Sequence, residues 1–239
     1  MIEKNQKRDQ KKLIERLKEE TRRLGGFGHD QALAELNWIM PGWDQGKTHE
    51  LSGQCLDLAT VRCVAIIQSA VKACIRTIVD TKSSAGHDLP ESTEKITLEM
   101  VREFKSNSFS IGDFYANLMH LSSYDQINGA LLKSADISLE RVLTMRIEKN
   151  EDVAATLDIL KKYLRGLFAR RNLLCHEACV IKADDDRSDV MQWAYLAHYL
   201  VYSLRHFTIQ KVNELQIQPA AIAASLTIVN TPLPSSQTH

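Results

Sequence analysis

Residues 160 to 180, LKKYLRGLFARRNLLCHEACV, gather the side chains best suited to chemistry: arginines, an asparagine, a histidine and two cysteines. Leu157, Leu160, Leu164 and Leu167 step by three and four along one helix face, and the same rhythm continues through Arg171, Leu174 and Ala178. An arginine thus stands where the stripe asks for a leucine, and its charge must be paired, must snorkel, or must line a cleft. Histidine is the side chain whose ordinary pKa lies near neutrality, which suits proton transfer. Arginine is a permanent cation with directional donors, suited to the oxygens of a phosphorane. Attack of a ribose 2′-hydroxyl on the adjacent phosphate needs both, with His176 as general base or acid, Arg171 as the transition-state clamp, and Asn172 orienting His176 or holding the helix end.

Helical geometry limits how these groups meet. Asn172 and His176, four apart, diverge by about 40° around the axis, whereas Arg171 and His176, five apart, diverge by about 140°. A site that uses both needs a bent helix end or a second copy of the helix across a two-fold axis. The competing reading is structural, with Arg171 paired to a buried carboxylate and His176 capping the helix end. Cys175, His176 and Cys179 are soft ligands close together, but three on barely one turn do not close a tetrahedral site, so no metal and no cofactor is expected.

The run Arg171-Asn172-Leu173-Leu174-Cys175-His176 resembles the Arg-Asn, three residues, His signature of the HEPN superfamily of helical ribonucleases. The agreement extends loosely over residues 50 to 217, with the motif on the penultimate long helix. The resemblance implies a bundle of four or five core helices, a homodimer that juxtaposes two Arg-His pairs, and metal-independent cleavage of RNA by a toxin or anti-phage defence effector. It also implies a possible neutralising or activating partner protein. Some members are non-catalytic dimerisation or nucleotide- and RNA-binding modules, which is the alternative. Many relatives carry an acidic residue in the first core helix near the site; here residues 69 to 76, SAVKACIR, offer Lys72 and Arg76 instead. The carboxylate is then to be sought in Asp57, Asp80 or Glu177, and Lys72, Arg76 and Arg170 become weak candidates for RNA contact. Members silenced by a partner nucleotidyltransferase have Tyr two positions after the His, and Ala178 stands there in this chain.

The elements that must position these residues read as helices throughout. Across 239 residues there are only 10 glycines and 5 prolines, and aromatics make up 6%, too few for an all-β sandwich or barrel. Lys plus Arg and Asp plus Glu number 30 each, which excludes a globally basic nucleic-acid binder but leaves room for a local basic patch. Five cysteines without a secretory signal predict reduced thiols in the cytoplasm, and no apolar run long enough to span a bilayer is expected.

The spacing predicts an all-α chain in three segments, and the resemblance implies that its helical domain is a HEPN-like bundle. Residues 1–47 hold a charged amphipathic helix over 3–24, stopped at Gly25-Gly26, and a mixed loop containing Trp38, Pro41 and Trp43. Residues 48–217 form the helical domain. Its first helix is capped by Thr48 and runs from about His49 to Lys82, and a loop over 83–95 follows. Short helices are expected near 97–106, 111–122, 124–134 and 138–148, then long ones from Asp152 to Cys179 and from Ser188, as N-cap, to Gln216. Residues 218–239 are an uncharged tail, docked on the body or on a second subunit. Tyr195, His198, Tyr199, Tyr202, His206 and Phe207 form a stripe on the last long helix that reads as core or dimer seam rather than a base-stacking platform.

Overall fold

The fold follows from two long apolar helices that the sequence keeps about a hundred residues apart. The computed structural model describes residues 28–39, 53–91, 109–145, 147, 152–177 and 187–229, together with Lys12, Glu15 and Arg102. These residues form seven extended helical segments and no strand: α1 (His29–Ile39), α2 (Gly53–Ser84), α3 (Ile111–Leu118), α4 (Tyr124–Ala135), α5 (Leu139–Thr144), α6 (Val153–Glu177) and α7 (Arg187–Val229). The all-α expectation holds over the described residues.

α2 is the axis of the molecule. Val64, Ile67, Ala70, Val71, Cys74, Ile75, Ile78 and Val79 are fully buried, so most of its circumference is covered. It packs on α7 and α3 most extensively, and also on α6, α1 and α4. By length and composition alone, Asp57–Ser84 could cross a membrane; here that stretch is the central core helix of the bundle. Leu164, Leu167 and Phe168 of α6, and Ala197, Leu200, Val201 and Leu204 of α7, close the core around it.

Short polar devices fix the connections. Ser110 and Asp113 form a reciprocal capping box at α3, while Ser123 and Ser138 cap α4 and α5. Asp136 ends α4 in the left-handed region at φ 56°, and its carboxylate holds the nearly buried Lys82 of α2 at 2.7 Å. Gly112 lets α3 approach α2 closely: a Cβ there would overlap the Arg76 carbonyl oxygen and stand 2.8 Å from the Asp80 carboxylate. Asp80 Oδ1 in turn accepts the Gly112 N–H at 2.8 Å.

Several boundaries differ from expectation. Part of the stretch assigned to a mixed loop is α1, which buries Ala32 and Leu36 fully and packs Leu33 partly against the body. α3 stops at Leu118 and α5 at Thr144, earlier than the periodicity suggested. Ser188 lies inside the first turn of α7 rather than capping it, and α7 continues to Val229, past Gln216. The alanines at 220, 221, 223 and 224 are strong helix formers and sustain it. The helix over 3–24 and the one near 97–106 lie outside the described residues except at Lys12, Glu15 and Arg102, all helical; the Thr48 cap lies outside them entirely.

Candidate active site

Arg171, Asn172 and His176 occupy the last two turns of α6, where the buried stripe thins out. Leu164 and Leu167 are fully buried, Leu174 is half-buried, and Leu173 and His176 are exposed. Arg171 falls on the stripe but beyond the packed core, so its half-buried side chain lies at the edge of the body. A long apolar stem allows such partial burial without taking the guanidinium into the core.

Its partner is local. Arg171 Nη1 donates to Asn172 Oδ1 at 3.0 Å, and among the described residues no carboxylate lies within ion-pair range of it. Asn172 Oδ1 is thereby engaged with the arginine rather than with His176. Arg171 and Asn172 leave the helix about 100° apart, so this bond draws the guanidinium round toward the flank that Asn172 shares with His176. Part of the divergence imposed by helix geometry is offset by a side-chain contact.

The structural duty that Arg171 was suspected of carrying belongs to its neighbour. Arg170 pairs with Asp57 on the first turns of α2, Nη2 to Oδ1 at 3.9 Å, with side chains only 17% and 18% exposed. At that distance the pair is a sheltered charge contact between the end of α6 and the start of α2 rather than a hydrogen bond. Of the carboxylates considered for the vicinity of the motif, the fold brings Asp57 there. Asp80 is committed to Gly112, and the Glu177 side chain lies outside the described residues.

Lys72 and Arg76 are not brought to this site. They lie 15 and 19 residues beyond Asp57 on the same helix, about 22 and 28 Å along its axis. Lys72 Nζ donates to Asn117 Oδ1 at 3.0 Å and Arg76 pairs with Asp113 at 3.6 Å, so both face α3.

Cys63, Cys74 and Cys175 are free thiols. Burial pushes the Cys63 thiol up to about 12 and the Cys74 thiol up to about 11, which leaves them unreactive. Cys175 is exposed beside His176; Ala178 and Cys179 lie outside the described residues. The aromatic stripe on α7 divides. Phe207 is buried and the Tyr199 hydroxyl donates to the Leu143 carbonyl at 2.6 Å, whereas Tyr195 is exposed and the Tyr202 and His206 rings meet at 4.8 Å.

One arrangement has no forerunner in the sequence: Arg165 of α6 stacks its guanidinium 4.8 Å from the centroid of the buried Tyr124 ring on α4. Forty-one positions separate the two, so only the fold reveals the pair. No family model, no curated protein and no solved structure matches this chain.

Proposed function

We propose that the chain is a metal-independent endoribonuclease of HEPN type, acting as a homodimer. The observation that carries this reading is the division of labour between adjacent arginines: Arg170 lies sheltered beside Asp57, while Arg171 has Asn172 as its one side-chain partner among the described residues, near an exposed His176. An arginine that replaced a core leucine for stability would be expected to take the buried carboxylate. This one is half-buried and bonded to the residue beside it.

In the proposed reaction His176 accepts the proton of the ribose 2′-hydroxyl as its oxygen attacks the adjacent phosphorus. The bond to the 5′-oxygen of the next nucleotide breaks, and that oxygen leaves with a proton returned by an imidazole. The products carry a 2′,3′-cyclic phosphate and a 5′-hydroxyl. Arg171 neutralises charge that builds on the non-bridging oxygens, an interaction strongest in the transition state. Two copies of α6 across a two-fold axis would supply the base and the acid from different chains, since one imidazole cannot reach both faces of the phosphorus. A role in defence or growth arrest, under a neutralising or activating partner, belongs to the same proposal.

Total RNA incubated with the purified protein in EDTA tests the reading. Cleavage should persist and leave cyclic phosphate ends. Arg171→Ala and His176→Ala should each lower it by a factor on the order of 10² or more. Activity that vanishes in EDTA and returns with Mg²⁺ or Mn²⁺, or cleavage undiminished in both variants, overturns the proposal.

A further inference from the structure

We propose that the flank of α6 carrying Arg165, Asn172 and His176 is a track for the phosphates of single-stranded RNA, with Arg165 as its distal anion subsite. The proposal rests on the ribonuclease reading and assigns where the substrate lies beyond the bond that is cut.

Charge singles out the helix. α6 bears five lysines and arginines against Asp158 and Glu177, in a chain whose acidic and basic residues are equal in number. Helix geometry selects the flank: at 100° per residue, positions 165, 172 and 176 fall within about 40° of one another. At 1.5 Å per residue, Arg165 stands about 16 Å from His176 along the axis. Ala169, exposed between them, leaves the floor of this strip low. Asp158 is exposed on the same flank two turns beyond Arg165 and repels phosphate, so the track has an end.

Arg165 is built as a presented cation rather than a structural one. Its guanidinium lies over Tyr124, a ring only 5% exposed at the start of α4, which fixes the plane of the cation and leaves its edge N–H donors facing solvent. Its carboxylate partner is Asp125 at 3.6 Å, and the two side chains are 59% and 81% exposed. Such a pair contributes little to stability, and a phosphate can replace the carboxylate. Lys161, one turn further along the flank, is by contrast held close to Glu140 at 2.5 Å. Single-stranded RNA is favoured over a duplex because a rigid helix touches a straight row of groups at few points, whereas a flexible strand follows it.

The test uses 2′-O-methyl oligoribonucleotides, which lack the attacking hydroxyl and stay intact on the native protein. Binding of a strand of about a dozen nucleotides should weaken in Arg165→Gln. The slope of log affinity against log salt should fall by about 0.7, the share of one single-strand phosphate contact, so the native protein's advantage shrinks about 2.6-fold between 50 and 200 mM salt. Asp125→Asn, which removes the competing carboxylate, should tighten binding. A dinucleotide cannot span the distance from His176 to Arg165 and should bind all three proteins alike. Unchanged strand affinity and slope in Arg165→Gln, or an equal loss with the dinucleotide, overturns the track; if the native protein still cleaves RNA, the ribonuclease reading survives that failure. Arg165-dependent binding without any cleavage leaves the track standing and refutes the catalytic reading. No binding by any of the three proteins overturns the track outright.

Discussion

Where α3 meets α2, each prominent polar group is committed to a partner on the other helix: Lys72 to Asn117, Arg76 to Asp113, and Asp80 to the Gly112 N–H. Along the second half of α6 the same residue types behave differently. Arg171 bonds to its own neighbour, Arg165 to a ring and an exposed carboxylate, and His176 faces solvent. Partners on a different element, held close and sheltered, mark a side chain that welds the fold. A partner one residue away, as at Arg171, or an ion pair left in water, as at Arg165–Asp125, marks a side chain whose charge is oriented but still open to a ligand.

The strongest way to break this contrast is to open the welded seam. Gly112→Val should destabilise the protein by about 3 kcal/mol, because a side chain there meets backbone that cannot retreat. Denaturant unfolding measures the loss, and a shift below 1 kcal/mol would show that α3 docks with slack.

Acid should probe a buried group that is welded without a charge. Burial lowers the pKa of His29, at the start of α1, from 6.5 to about 4; Asp30 opposes the shift, and Arg205 and Arg76 add to it. The unfolded chain takes up a proton as pH drops below 6.5, whereas the native state resists until about pH 4. This group therefore costs stability progressively between those values, by about 3 kcal/mol in all. His29→Gln should flatten the unfolding free energy across that window; an unaltered pH profile would remove His29 from the account.

The sharpest comparison sets adjacent arginines against each other. Removing the partner of the sheltered one, Asp57→Ala, should cost about 2 kcal/mol. Arg171→Ala should change stability by less than about 0.5 kcal/mol. Paired thermal melts decide it, and equal losses would erase the distinction on which the proposed function stands.

The sequence made the long helices and the anomaly at Arg171 legible, because both are local patterns: leucines at three and four, then an arginine in their place. What could not be read was which of two consecutive arginines the fold would shelter. That depends on Asp57, more than a hundred residues earlier, reaching the end of α6. The distance of Lys72 and Arg76 from the motif was hidden for the same reason, since neither composition nor spacing says which end of α2 lies beside α6. α1 was missed because two buried side chains, Ala32 and Leu36, leave too faint a periodicity between glycine-rich flanks. The Arg165–Tyr124 stack joins segments with no pattern in common.

The dominance of the α2–α7 packing carries a consequence for how the chain is made. These two helices are separated by about a hundred residues, with α3 to α6 strung between them. Closing so long a loop is slow, and the earlier pairing of α2 with α3 leaves the face that α7 covers still open. On a ribosome, α2 emerges long before its main partner and must wait with an apolar surface uncovered. The face of α2 that α7 covers is therefore the last part of the core to close.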